Sequence, residues 1–198
     1  TYFIFNGVVS NGTGCSGDVV IPEGVTGIGA EAFSSESSVT SISSITIPAS
    51  VTTIGEYAFF LTSTLRELHF LGNAPTIMET CAVSCLDTTE AKVYINAGAT
   101  GFGSELTWFG LSIRRDFSNY TGRIKCETGL PLAVDDTSPA YTVTNAVATN
   151  GSGCVDAVVI PDGVISIGTD AFSDATSLTS ITIAESVTSI GESAFRGA

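Results

Sequence analysis

Positive charge is what this sequence has least of. Seven Lys and Arg stand against 20 Asp and Glu, giving a formal net charge of −13. Apart from Arg114 and Arg115 the basic residues are scattered along the chain. A phosphate backbone is held by several clustered cations, so nucleic acid is not an expected partner, and anionic membrane surfaces are disfavoured for the same reason. Long apolar runs are missing too. Ala146-Val147-Ala148 and Ala157-Val158-Val159-Ile160 are each broken within a few residues by Thr, Asn, Asp or Pro, far short of the ~20 residues of a membrane-spanning helix. Histidine, tryptophan and methionine occur once each, so the material for acid–base or metal chemistry is thin. The chain opens at Thr1 without Met or an apolar leader, and is expected to be a mature fragment or an excised piece of a longer protein.

What is present is a duplication. With 43% hydrophobic and 14% charged residues the chain has a core to bury, unlike a solvated acidic tail. Asn11-Gly-Thr-Gly-Cys15, Val19-Val-Ile-Pro-Glu-Gly-Val25 and Ala32-Phe33 recur as Asn150-Gly-Ser-Gly-Cys154, Val158-Val-Ile-Pro-Asp-Gly-Val164 and Ala171-Phe172, at a constant offset of 139 (154 − 15). Inside each copy a shorter unit repeats. Val25 to Phe33 returns as Val51 to Phe59, and Val164 to Phe172 returns as Val187 to Phe195, at intervals of 26 (59 − 33) and 23 (195 − 172). A period in the low twenties is the signature of a solenoid.

The unit from Leu178 to Phe195 shows how one coil works. Ile181 and Ile183 alternate with Ser180 and Thr182, the period-two pattern of a short strand with one buried face. Val187 and Ile190 mark a second extended stretch, Gly191 is expected to supply a sharp corner, and Ala194 and Phe195 close the unit. One coil cannot bury both faces of so thin a layer, so stacking completes the core. Segments 16–21, 42–47, 65–70, 155–160 and 178–183 fit the strand and are expected to pair in parallel. Pro22, Pro48 and Pro161 follow it and end the ladder, since proline offers no N–H.

The stretch Ser44-Ile-Thr-Ile-Pro-Ala-Ser-Val-Thr-Thr-Ile-Gly-Glu-Tyr-Ala-Phe59, with four copies agreeing at Ile-Gly and Ala-Phe, resembles the BspA-type leucine-rich repeats of bacterial and protozoan surface proteins. The fold expected is a leucine-rich-repeat solenoid of short parallel strands and loop-rich return segments, with little helix, in two arrays. The general leucine-rich pattern carries an Asn after the strand; no clear unit here does, so no Asn ladder is expected.

Residues 62–117 depart from the repeat and resemble a closing segment, with Trp108 expected to cover a solenoid end. The first array with its closing segment is read as 1–117. Residues 118–140, rich in Thr, Gly, Pro and Asp, read as a connector. The second array, truncated, is read as 141–198. It opens with Tyr141-x-Val143-x-Asn145-x-Val147, matching Tyr2-x-Ile4-x-Asn6-x-Val8 at the same offset.

Little here carries chemistry. His69 alternates with Leu68 and Phe70, so it points outward beside Glu67 and reads as a surface residue rather than a general base. Cys81 and Cys85 lack a second pair of ligands, so no metal site is expected; they pair locally or stay as buried thiols. Phosphate loops, calcium loops and nucleophile elbows are absent from the sequence, Asp135-Asp136 reads as a solvated loop, and no cofactor is expected. Cys154 follows the opening turn of the second array and Cys126 lies just before its first strand, so these two are expected to form a disulfide. The offset carries Cys126 to a position before Thr1, so Cys15 is expected to be unpaired.

The function expected is non-catalytic. The resemblance implies an acidic, secreted or cell-surface module that engages a protein ligand on a host, cell or matrix surface. The outward strand positions Thr46, Arg66, Glu67, His69, Thr179, Ser180 and Thr182 are the candidate ligand-binding residues. The alternatives are a structural spacer in a larger surface protein and, less favoured, a carbohydrate- or ice-binding Ser/Thr face. The last coil, with Val187, Ile190 and Phe195, is expected to associate weakly with another copy.

Overall fold

In a computed structural model of the chain, residues 2–12, 14–34, 41–78, 91–102, 107–132 and 136–198 are described. They hold 18 short strands and no helix. Cys81 and Cys85 lie outside the described residues. The chain divides into two compact units, 1–95 with 99–114 and 96–98 with 115–198.

The first unit winds between two strand stacks. One is a five-stranded sheet in the order β1 (Phe3–Phe5), β2 (Val8–Asn11), β4 (Gly27–Ile28), β6 (Thr53–Ile54) and β8 (Thr76–Ile77). The other is a ribbon in the order β10 (Thr107–Trp108), β11 (Leu111–Asp116), β9 (Lys92–Asn96), β7 (Glu67–Phe70), β5 (Ser41–Ile47) and β3 (Ser16–Val20). Strands β3, β5, β7 and β9 are parallel, as the Leu-x-x-Ile-x-Ile segments predict. The ribbon continues one strand beyond the repeat signature, because Lys92-Val-Tyr-Ile keeps the alternation and buries Val93 and Ile95. The β10–β11 hairpin then closes it. Trp108 is buried there among Phe70, Phe102 and Phe109, with centroids 5.0–5.2 Å away, the covering role expected of it.

The second unit repeats the scheme. Its sheet runs β12 (Thr121–Lys125), β13 (Ala140–Thr144), β14 (Val147–Thr149), β16 (Ser166–Ile167) and β18 (Ser189–Ile190), beside a parallel pair of β15 (Asp156–Ile160) and β17 (Leu178–Ile183). Residues 118–140, read from composition as a connector, include β12. It pairs antiparallel with β13 over five residues and buries Ile124 and Cys126. Its one inward aliphatic residue is too short a pattern to register as a strand. The Cys126–Cys154 disulfide is formed, with Cα atoms 5.8 Å apart, and Cys15 is a free, buried thiol. In the last coil Ile190 is exposed, while Val187 and Phe195 are partly buried.

Four coils, those with Ala-Phe, contribute a Phe to an axial stack. Phe33 lies on Phe59 at 5.9 Å with a 6° interplanar angle, and Phe172 on Phe195 at 5.5 Å and 11°. Tyr2 and Tyr141 head the two stacks. Gly12 and Gly151 are required because a Cβ on either would overlap the first Phe ring. The glycine of each Ile-Gly works differently from the corner expected at Gly191. Neither Gly55 nor Gly191 has positive φ; a Cβ there would strike the backbone of the preceding coil at Ala30 or Thr169. The left-handed corner falls two residues later, at Glu31, Tyr57, Asp170 and Ser193, with φ of 53–56°. At the turn after the strand, where an Asn ladder is not expected, Ser50 and Ser186 accept from the amides of Gly24 and Gly163 at 3.0 Å. Asn73, in the closing segment, accepts from Thr100 N at 2.9 Å.

Candidate functional site: the outward face of the ribbon

Parallel register turns the alternation of each strand into rows across the first unit. One row is Asp18, Ser44, Glu67 and Lys92, and the next is Val20, Thr46, His69 and Tyr94. Neighbours within a row are about 4.8 Å apart, the strand spacing, so side chains on adjacent coils touch.

At one end of the first row Asp18 Oδ1 accepts from Ser44 Oγ at 2.7 Å and Ser43 Oγ at 2.9 Å. Ser43 can join because it is an extra residue in β5 at a bulge opposite Gly17 and Asp18. The Ser44 hydrogen bond, then that of Ser43, with a smaller attraction from His69, holds the Asp18 carboxyl below the usual carboxylate range. Further along, Glu67 carries two neighbours. His69 Nε2 lies 2.8 Å from Glu67 Oε2, and because a carboxylate only accepts, that nitrogen carries the proton. Tyr94 Oη donates to Glu67 Oε1 at 3.4 Å. The imidazole and phenol rings stack at 4.6 Å with planes 9° apart. About a third of the His69 side chain remains open to solvent. The result is a two-ring platform anchored on a carboxylate.

Of the sequence-derived candidates, Thr46, Glu67 and His69 belong to this face. Arg66 stands exposed one residue before β7, and its Nη1 donates to the carbonyls of Ser63 and Leu65 at 2.8 and 3.2 Å. Ser180 and Thr182 lie in the second unit on β17, opposite Ala157 and Val159. Thr179 is the extra residue of the bulge there, the counterpart of Ser43. Asp18, Ser44, Lys92 and Tyr94 are missed by repeat matching. They occupy variable outward positions, and their signal is the register of their inward neighbours.

The face offers a charged rim and an aromatic surface for contact. Among the described residues no group of three or more His, Cys, Asp and Glu could hold a metal ion, and no helix is long and apolar enough to cross a membrane.

The BspA-type leucine-rich repeat region matches in six copies over residues 12–105 and 147–198. The chain belongs to this family. Between the two matched blocks lie β10, β11, β12 and β13. No curated protein matches the chain. Among solved structures it is similar to a leucine-rich cell surface protein from Faecalibacterium prausnitzii A2-165, at 19% identity and a TM-score of 0.37, covering 98% of this chain and 71% of that one. A leucine-rich repeat protein from Bacteroides ovatus ATCC 8483 is similar at 18% identity and a TM-score of 0.31, covering 95% and 36%. One from Eubacterium ventriosum ATCC 27560 gives 19% and 0.27, covering 91% and 51%. The chain therefore spans about a third to a half of the length of the last two.

Proposed function

We propose that the chain is a non-catalytic binding module of a cell-surface protein, engaging an extended protein ligand through the outward face of the first unit's ribbon. The observation that supports this reading is the His69–Tyr94 platform on Glu67, flanked by the Asp18–Ser43–Ser44 cluster. Aromatic rings beside fixed polar groups supply contact area at low conformational entropy cost, and repeat surfaces suit extended ligands. A flat ice-binding rank is disfavoured, because the row reads Val20, Thr46, His69, Tyr94 rather than threonine throughout. The family supports the surface location.

The test is an array of extracellular-matrix and cell-surface proteins probed with the intact chain. Loss of both rings removes the contact, so the double variant His69→Ala/Tyr94→Ala binds about tenfold or more weakly, as for an interface hot spot. Ser180→Glu/Thr182→Glu in the second unit leaves binding intact. If no array protein is retained, the spacer reading replaces this one. Turnover abolished by His69→Ala with the fold retained overturns the non-catalytic reading. Weak self-association through Ile190 and its neighbours belongs to the same proposal, and sedimentation showing a strict monomer removes it.

A further inference from the structure

The duplication supplies an internal comparison, and the two units differ where their first sheets begin. In the second unit β13 is flanked on its outer side by β12, in register from Thr121↔Thr144 to Lys125↔Ala140. Ile124 of β12 stands opposite Tyr141 and is fully buried. Two residues later Cys126 donates from its amide to Pro139 O at 3.0 Å, accepts from Val159 N at 2.8 Å, and is bonded through sulphur to Cys154.

The first unit holds the whole receiving side of this arrangement. At the offset of 139, Tyr2 stands for Tyr141, Ile4 for Val143, Cys15 for Cys154 and Val20 for Val159. Even the polar detail is kept. Tyr2 Oη donates to Val20 O at 2.6 Å, as Tyr141 Oη does to Val159 O at 2.8 Å. The incoming strand, however, has no counterpart among the described residues, and β1 is the last strand of its sheet. Ile4 is consequently 44% exposed where Val143 is 0% exposed, Phe3 and Phe5 are each 71% exposed, and the Cys15 thiol is buried without a disulfide. An open strand edge with apolar side chains is a template for another strand.

We propose that the β1 edge and Cys15 form a docking site for an extended peptide segment with the chemistry of residues 121–126. That segment is an antiparallel strand with an aliphatic side chain opposite Tyr2 and, two residues on, a cysteine that pairs with Cys15. β12 is itself already engaged on β13, so the occupant is a second segment with the same chemistry. Main-chain hydrogen bonds to the edge give the affinity, and the Ile-x-Cys spacing gives the selectivity. Closure needs an oxidant, for which glutathione disulfide serves. The peptide thiolate attacks it and expels one glutathione thiolate; the Cys15 thiolate then attacks the peptide sulphur and expels the second. Two cysteine thiols lose two electrons and two protons in all, and one glutathione disulfide becomes two glutathione thiols.

The probe is a synthetic peptide, Thr-Gly-Arg-Ile-Lys-Cys, incubated with the native chain and separately co-refolded with it in a glutathione redox buffer. Intact mass and peptide mapping are expected to show one peptide per chain on Cys15, with the Cys126–Cys154 bridge intact. Replacing the peptide's Ile with Asp removes one buried aliphatic side chain, so the yield falls about tenfold or more. A Cys15→Ser chain takes no adduct, yet the Ile peptide still slows amide exchange at Phe3–Phe5. Equal yields from the Ile and Asp peptides overturn the proposal, as do glutathione alone on Cys15, a bridge from Cys15 to Cys81 or Cys85, or unchanged exchange at Phe3–Phe5.

Discussion

Gly55→Ala tests what sets the spacing of the coils. A Cβ built on Gly55 would lie 2.5 Å from Ala30 N, 2.8 Å from Gly29 C and 3.0 Å from Ala30 Cα. All three are backbone atoms of the preceding coil, so no side chain can rotate aside to make room. That backbone is also held. Gly55 N donates to Ile28 O at 2.8 Å, and Gly29 N to Val9 O at 2.8 Å. Relief must come from separating two coils whose inward residues Ile28 and Ile54 are fully packed. Overpacking costs ~1–3 kcal/mol in general, and with only backbone to displace the upper end applies here, about 3 kcal/mol. For a chain of this length each kcal/mol moves Tm by ~2–4 °C, so Gly55→Ala is expected to melt about 6–12 °C below the parent by circular dichroism. Gly153→Ala is the control. It has nothing within 4 Å of its Cβ and no positive φ, so reduced unfolded-state entropy makes it neutral or stabilising by ~0.4–1 kcal/mol. If Gly55→Ala melts within ~1 °C of the parent, close approach is not the reason for the glycine.

The Cys126–Cys154 bridge spans 28 residues and contributes roughly 3–4 kcal/mol through chain entropy; urea titration of a Cys126→Ser/Cys154→Ser chain should show that loss. Burial, and secondarily Tyr120, raises the Tyr141 phenol far above its ordinary value of 10.0. The stability it contributes is complete below pH 10 and lost as pH rises, because the unfolded chain ionises first. Tyr141→Phe should flatten that alkaline limb, while the lost 2.8 Å bond to Val159 O costs about 1 kcal/mol at neutral pH. Asp18 has the opposite sign. Its folded carboxyl lies below 3.8, so its contribution is present above that pH and is lost as pH falls. Ser44→Ala removes the largest cause and should shrink the acid limb of the stability curve.

The buried half of this molecule was legible because burial is shared by every coil. Ile45, Leu68 and Val93 are one structural position read three times, and a position that must fill the same space recurs with the same kind of residue. The misreading of Gly191 as a corner shows the limit of that logic. Recurrence shows that a glycine is needed; whether φ or a neighbouring backbone demands it depends on the next coil, which lies 23 or 26 residues away in sequence. The 118–140 stretch hid a strand for the opposite reason. β12 occurs once, buries one aliphatic side chain, and is surrounded by Pro, Gly and Asp, so no repetition raises it above its loop-like composition.

The outward face was legible only in part, and the reason bears on function. Outward residues escape the packing constraint, so one row holds two carboxylates, Asp18 and Glu67, with a hydroxyl, Ser44, and an ammonium, Lys92. Matching repeats therefore discards the variation along this face. Arg66 and His69 show how outward positions of one coil can differ. One residue before β7 the Arg66 guanidinium closes the Ser63–Leu65 turn, whereas His69, three residues on, is held flat against Tyr94. What selects the platform is register. Inward Leu68 pairs with Val93, and that pairing obliges His69 and Tyr94 to stand side by side, so the buried pattern specifies which exposed residues meet even where it says nothing about what they are.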